Sequence, residues 1–433
     1  MSGGPESSVQ LDPAEHDWLR EGPARTVMDA LLAARPGGAR YVGGCVRNAL
    51  IGAPVADVDI ATQLTPDQAA AALKDAGLKS VPTGIDHGTV TAVADGVGVE
   101  VTTLRRDVET DGRRAVVAFT EDWAEDSARR DFRLNAIYCG ADGTLFDPQG
   151  GIEDAREGRI VFIGDAGARI AEDALRILRF FRLHAQYGRG RPDRDGLLAC
   201  ARAKTTLENL SGERVWAELK KLFAAAAPEA TLRWMQTAEI LRVVLGPCDG
   251  LEAAAQLSSL RREHSWPRDP VLMLVALTGA DENRGERLAE TLRMSRAERA
   301  ALIRFARITC AETAVQSSGD EKISLAAPEQ LYRNGAAFIA DTARLCWSRD
   351  RARAALNDEE QGVHDDAYSN AIAIALSWTS PEFPLSGKDL QDVGFTPGKM
   401  IGDVLSALET RWIESKFTLT KSELMTMARG MAV

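Results

Sequence analysis

Strand-like and helix-like patterning occupy separate stretches of this chain, and that separation constrains its architecture most. Between 39 and 104 short apolar runs are punctuated by glycine and turn residues: the strand ARYV, Gly43-Gly44, the helical CVRNALIG, then the strand ADVDIAT. Thr65-Pro66-Asp67 opens another helix, with Thr65 a fitting N-cap and Pro66 at the first helical position. Two strands follow, HGTVTAVA and VGVEVTTL, joined by the Asp95-Gly96 turn signal. Ahead of them, 26–32 reads as a short helix ended by Pro36-Gly37-Gly38. From about 167 onward the pattern is helical almost to the end, with breaks near Pro192, Pro228, Pro247, Pro267 and 380–387. The pattern predicts a mixed α/β domain followed by a long helical portion.

The length of 433 residues suits about three structural units. A hydrophobic content of 45% excludes a largely disordered chain. No uncharged apolar run reaches the roughly 18–20 residues of a membrane span, and the first 20 residues lack the apolar core of a signal peptide. Six cysteines without CxxC spacing argue against a zinc knuckle or disulfide framework and suit a reducing cytoplasm. The net charge of −11 is uneven. Residues 101–221 balance 21 Lys and Arg against 21 Asp and Glu, so the acidic excess lies elsewhere. Arginines cluster within that neutral stretch: Arg105/Arg106, Arg113/Arg114, Arg129/Arg130/Arg133 and Arg169/Arg176/Arg179/Arg182. Planar guanidinium groups suit phosphates and base edges, although solvated arginine faces are common.

Two constellations stand out. In DVDI, strand alternation sets Asp57 and Asp59 on one face and sends Val58 and Ile60 into the core. Paired carboxylates suit a hard cation such as Mg²⁺, although an isolated DxD more often marks a solvent-facing edge strand. Gly43-Gly44, between a strand and a helix, offers bare backbone amides for phosphate. Glu100 alternates against Val99 and Val101 and supports the same metal site if its strand pairs beside 56–60. The second constellation is ARIAEDALRILRFFRL, read as one helix. Ile170, Ala174, Ile177, Leu178 and Phe181 form an apolar stripe opposite Arg169, Glu172, Asp173, Arg176 and Arg179. Phe180 and Leu183 point to the charged side, which suggests a partly enclosed polar groove. Asp173 accepting an amino group and Arg176 donating to a ring nitrogen match the edge shared by cytosine and adenine, which uracil and guanine reverse.

With GGCVRN at 43–48, DVDIAT at 57–62, RRDFRLNA at 129–136 and EDALRILR at 172–179, the chain resembles the class II tRNA nucleotidyltransferases, the CCA-adding enzymes, whose signature bacterial poly(A) polymerases share. HGTV at 87–90, VEVTTLRRD at 99–107, DPQGGIED at 147–154 and SGERVWAELKKLF at 211–223 extend the ordered match. SGKDLQDVGFTPGKMIGDVL at 386–405 matches more weakly.

The resemblance implies an α/β nucleotidyltransferase head of DNA polymerase beta type with a mixed sheet, followed by an all-helical neck, body and tail. It gives a flexible N-terminus at 1–24, a catalytic head at 25–148, a base-recognising neck at 149–223, a body at 224–380 and a tRNA-binding tail at 381–433. Asp57 and Asp59 become catalytic metal ligands with Glu100 in support, and Gly43, Gly44 and Arg47 lie on the triphosphate side. Arg129, Arg130, Asp131 and Asn135 handle ribose and phosphates, while Glu172, Asp173 and Arg176, with Arg179 beside them, read the base. A flexible loop at about 105–117 switches from C to A addition.

Three residues depart from the family pattern: Asn48 for Asp, Arg133 for Thr and Ile170 for an aromatic. The implied activity is untemplated addition of C, C and A to the tRNA 3′ end from CTP and ATP, with Mg²⁺ as cofactor, no membrane partner and oligomeric state open. The alternative is a poly(A) polymerase, against which the C-terminus KSELMTMARGMAV lacks a long basic tail.

Overall fold

The computed structural model describes residues 6–84, 88–111, 114–308, 326–357, 359, 362, 364–396 and 398–431. His87 of the HGTV motif, Arg113 of the arginine clusters, Cys310 and Pro397 lie outside them. The chain divides into two compact units. One runs through Cys248 and takes in Thr291–Met294; the other comprises Asp249–Glu290 and continues from Ser295.

The first unit is built on an eight-stranded mixed sheet. Its strands are β1 (Glu6–Gln10), β2 (Ala39–Val42), β3 (Asp59–Thr62), β4 (Lys79–Gly84), β5 (Thr89–Ala94), β6 (Val97–Thr103), β9 (Tyr138–Cys139) and β10 (Thr144–Phe146), in the spatial order β1-β10-β9-β2-β3-β6-β5-β4. A separate antiparallel ribbon joins β7 (Arg105–Asp111) to β8 (Arg114–Phe119). The segment expected as a flexible loop at 105–117 is therefore paired backbone in its described part; residues 112 and 113 lie outside it. Helices α1 (Asp17–Arg20), α2 (Pro23–Ala34), α3 (Gly44–Leu50), α4 (Pro66–Asp75) and α5 (Trp123–Ala128) intervene between strands. Local chemistry explains several boundaries. Thr65 and Gln68 close a reciprocal capping box on α4, with Pro66 at its start. Asp95 and Gly96 both take positive φ, at 50° and 78°, as a tight β5–β6 hairpin demands.

Residues 6–24 are not loose, contrary to the expected flexible N-terminus. β1 adds to the sheet edge at β10, and Leu11 and Leu19 are buried. The Leu11 amide donates to Gly143 O at 3.0 Å, and Trp18 meets Tyr41 edge-on at 4.8 Å. Buried apolar side chains hold this segment despite its polar composition.

After the sheet come α6 (Gly151–Glu157), α7 (Ala166–Glu172), α8 (Leu175–Tyr187), α9 (Arg194–Ala203) and α10 (Gly212–Phe223). The DPQGGIED motif is explained by packing. Both Asp147 carboxylate oxygens accept from the first amides of α6, at 2.8 and 2.9 Å. A Cβ on Gly151 would lie 2.0 Å from Arg133 O, so only glycine fits there. Phe132 packs tilted against Phe162 at a centroid separation of 4.6 Å, and Phe162 stacks on Phe180 at 5.5 Å, which fastens α8 to the head. Helices Glu229–Thr237 and Ile240–Leu245 stay with the first unit. His184 Nδ1 meets Thr231 Oγ1 at 2.8 Å and Lys204 pairs with Glu239, so the chain does not divide at 223/224, the neck–body boundary expected from sequence.

The second unit is helical among its described residues. One buried cluster gathers Leu260, Ala340, Ala343, Trp347 and Tyr368; another gathers Leu390, Leu408, Trp412 and Leu424. No helix among the described residues is long and apolar enough to cross a membrane.

Candidate active site

β3 starts at Asp59 and runs antiparallel to β2, with Asp59 opposite Val42. Its other neighbour, β6, is parallel, with Ile60 beside Val101. That register sets Glu100 next to Asp59, the pairing on which the metal reading depended. Asp57, Asp59 and Glu100 line one cleft of about 690 Å³, closed on another side by Asp17–Ala24 segment residues including Trp18 and Glu21. All three carboxylates are exposed while Ile60 is fully buried, as alternation requires, although the regular strand begins only at Asp59. Burial of its surroundings and then the negative charge of Glu100 raise the Asp59 carboxyl above the usual range; Arg130 opposes this and Asp57 adds to it. Oxygen-only donors under mutual repulsion fit a hard divalent cation. Among the described residues no three such groups converge as a preformed cage. Magnesium commonly takes one or two carboxylates and completes its shell with phosphate oxygens and water.

Gly43 follows β2 directly, with φ 78°, and precedes α3. Its amide donates to Ile137 O at 3.3 Å, so this N–H is not bare as the phosphate-cradle reading required. Arg47, one turn into α3, is 7% exposed. Its guanidinium donates to Asn48 Oδ1 at 2.9 and 3.1 Å, Asn135 Oδ1 at 2.5 Å and Tyr187 Oη at 2.9 Å, and packs 4.1 Å from the Tyr187 ring.

Arg129 and Arg130 share the buried Asp126, at 2.7 and 3.1 Å, and Tyr138 Oη donates to the same carboxylate at 2.6 Å. Burial opposes that charge, yet Arg130, Arg129 and Tyr138 bring the Asp126 carboxyl down to about 2. Asp131 is buried and accepts from Arg179 at 2.5–2.6 Å, from the Phe132 amide at 2.9 Å and from Asn135 Nδ2 at 3.3 Å. Burial again works against the charge, and Arg179 holds the carboxyl below its ordinary range. Arg182 meets the buried Glu218 at 2.5 Å, and Arg179 comes within 4.0 Å of the same carboxylate.

The helix expected across 168–183 is two helices. Asp173, between α7 and α8, has extended backbone (φ −154°, ψ 107°), and its Oδ1 accepts from the Leu175 amide at 3.1 Å. Aspartate competes with the helix by bonding its own neighbouring amides, which breaks the wheel there. Phe180 and Leu183 are fully buried, so much of the supposed charged side of α8 is interior. Asp173 Oδ2 pairs with Arg214 at 2.7 Å, while Arg176 pairs with Glu172 and donates to Arg169 O at 2.9 Å. Asp173 and Arg176 thus share a turn without sharing a target. Sequence reasoning missed Asp126, Tyr138, Tyr187, Arg214 and Glu218. The alternation of charge around SGERVWAELKK held a signal for the last two; nothing local marked the others.

A carboxylate pair at the start of a strand, beside a glycine-opened helix on a mixed sheet, defines a nucleotidyltransferase head. Residues 39–161 match the poly A polymerase head domain, and 193–248 match the probable RNA and SrmB-binding site of polymerase A. The chain is 33% identical to a zebrafish (Danio rerio) protein named CCA tRNA nucleotidyltransferase 1, mitochondrial, covering 89% of this chain and 86% of that one. It is 32% identical to a CCA-adding enzyme of Geobacillus thermodenitrificans, over 86% and 87% of the two chains. The Bacillus stearothermophilus CCA-adding enzyme, crystallised with CTP, has the same fold, with a TM-score of 0.71, 24% identity and coverage of 94% and 96%. The chain belongs to the CCA-adding enzyme family, a family of metal-dependent nucleotidyltransferases.

Proposed function

We propose that this protein adds C, C and A in turn to the 3′ end of tRNA, using CTP and ATP and releasing pyrophosphate. The observation that carries this reading is the meeting of Asp57, Asp59 and Glu100 in one cleft, beside the strand end that leads through Gly43 and Gly44 to Arg47. Relatives of the same fold crystallised with CTP, ATP and tRNA support the substrate set.

The tRNA 3′-hydroxyl oxygen bonds to the α-phosphorus, the bond to the β-phosphate oxygen breaks, and the hydroxyl proton leaves to water. Asp57 and Asp59, with Glu100 in support, would hold Mg²⁺, which when bound would supply positive charge to lower the hydroxyl's pKa and offset the developing negative charge. The chain's own part is positioning. Asp126 fixes Arg129 and Arg130 as a pair aimed together, and Asn135 bridges Arg47 to Asp131. Gly43, Gly44 and Arg47 face the triphosphate in this reading, and Asp131 and Asn135 the ribose. Glu172, Asp173, Arg176 and Arg179 select the base; for Asp173 this means exchanging Arg214 for the amino group of C or A. The helical remainder holds the tRNA through shape and phosphate contacts. A cytoplasmic location belongs to the same reading, supported by five buried free cysteines among the described residues.

Incubating the protein with tRNA lacking its 3′ end and each labelled nucleotide tests this. C incorporation followed by a single A supports it. Repeated A addition to unrelated RNA ends supports poly(A) synthesis instead, and incorporation of nothing overturns both.

A further inference from the structure

The Arg47 guanidinium is buried, yet every hydrogen-bond acceptor it contacts is neutral: Asn48 Oδ1, Asn135 Oδ1 and Tyr187 Oη. Buried arginines are ordinarily paired with a carboxylate, because an isolated charge in a desolvated setting is costly. Asp131 acts on Arg47 only through space, and its own oxygens are taken by Arg179, Asn135 and the Phe132 amide. Four hydrogen bonds among the described residues against five guanidinium N–H groups leave one Nη1 hydrogen for a ligand. The Asn48 amide orientation is fixed from both sides. Arg47 can only donate to it, and Pro54 O can only accept, at 2.7 Å from Nδ2.

We propose that Asn48 is a positioning residue that sets affinity for the nucleotide's phosphates: it orients Arg47 with a neutral acceptor and so leaves the buried positive charge uncompensated until a phosphate binds. The proposal rests on the triphosphate reading of Arg47 given above. Burial pulls the guanidinium below its ordinary range, and Arg182 adds repulsion, both of which a bound polyanion relieves. Aspartate at 48 would keep the acceptor and cancel the charge, while losing the donor to Pro54 O.

The test compares wild type, N48D and N48A by thermal melting without ligand and by calorimetric binding of inorganic pyrophosphate, CTP and ATP. Without ligand N48D melts above N48A, because its carboxylate compensates Arg47. In binding the order reverses: N48A holds pyrophosphate more tightly than N48D, and N48D is weakened about tenfold or more against wild type, by the same factor for CTP and ATP. A merely structural role gives the same order in both measurements. N48D binding pyrophosphate as tightly as N48A or wild type overturns the proposal while tRNA extension by the wild type leaves the functional reading standing. Wild type that binds neither pyrophosphate nor nucleotide overturns both.

Discussion

Arg214 on α10 donates to Asp173 Oδ2 at 2.7 Å, tying the residue that interrupts α7 and α8 to a helix 41 positions further along the chain. The Leu175 amide holds Oδ1 at 3.1 Å, and Arg214 fixes the other oxygen. The pair gives Asp173 a place between two helices, and in the proposed reading a base's amino group replaces Arg214.

Base selection follows from this. Asp173→Ala leaves the amino group of C or A unpaired, and Arg176→Ala does the same to the ring nitrogen. An unpaired polar group in a closed site costs about 1–3 kcal/mol, or roughly 5- to 150-fold in discrimination. Both variants are expected to raise use of UTP and GTP relative to CTP and ATP. Measuring kcat/KM for all four nucleotides on tRNA ending before its CCA checks this; an unchanged ranking removes both residues from base reading.

The carboxylate pair gives a sharper outcome. Asp57→Asn and Asp59→Asn should abolish transfer without unfolding the protein, since both side chains are exposed. The raised carboxyl of Asp59 means its charge opposes folding at neutral pH, so Asp59→Asn should melt at or above wild type. Incorporation near the wild-type rate by either variant is the result that refutes the metal assignment. Glu100→Ala should slow transfer, and unchanged activity would return Glu100 to an exposed strand residue.

Asp126 governs acid stability. Its carboxyl lies at about 2 in the folded chain against an ordinary 3.8, so the folded state binds this proton less readily than the unfolded one. The stabilisation is fully present above about pH 4 and is lost as pH falls from there towards about 2. It amounts to about 2 kcal/mol. The denaturant midpoint should fall further between pH 7 and pH 3 for wild type than for Asp126→Asn. At pH 7 that substitution should cost about 3–5 kcal/mol, because Arg129 and Arg130 then face a neutral amide. Equal pH slopes for the two proteins would show that this carboxylate carries no acid sensitivity.

The β7–β8 ribbon makes a prediction of its own. Shortening it within 105–114 should spare addition of the two C residues and impair the terminal A. Sequencing of the extended tRNA ends distinguishes this from equal loss of both activities, which would indicate a folding defect.

Local sequence was sufficient where the deciding interactions are local. Alternation identified β2, β5 and β6; Thr65 and Pro66 marked the start of α4; Asp95-Gly96 marked the hairpin. The motifs singled out the carboxylates and arginines by residue type and spacing. Periodicity reports which face of a segment is buried, however, and says nothing about what lies beside it. Glu100 reaches Asp59 because β6 pairs in parallel with β3, and Arg47 is enclosed because Tyr187 arrives from 140 residues away. The break at Asp173 escaped the helical pattern because a side chain capping its own backbone outweighs a weak propensity, and Arg214 holds the result. The N-terminal segment escaped because its apolar residues are few, and the burial of Leu11 and Leu19 depends on a sheet that other strands supply. The sequence by itself determined which residues carry ionisable and phosphate-binding groups; the tertiary structure decided which of them meet, because a charged side chain settles where long-range partners offset its desolvation.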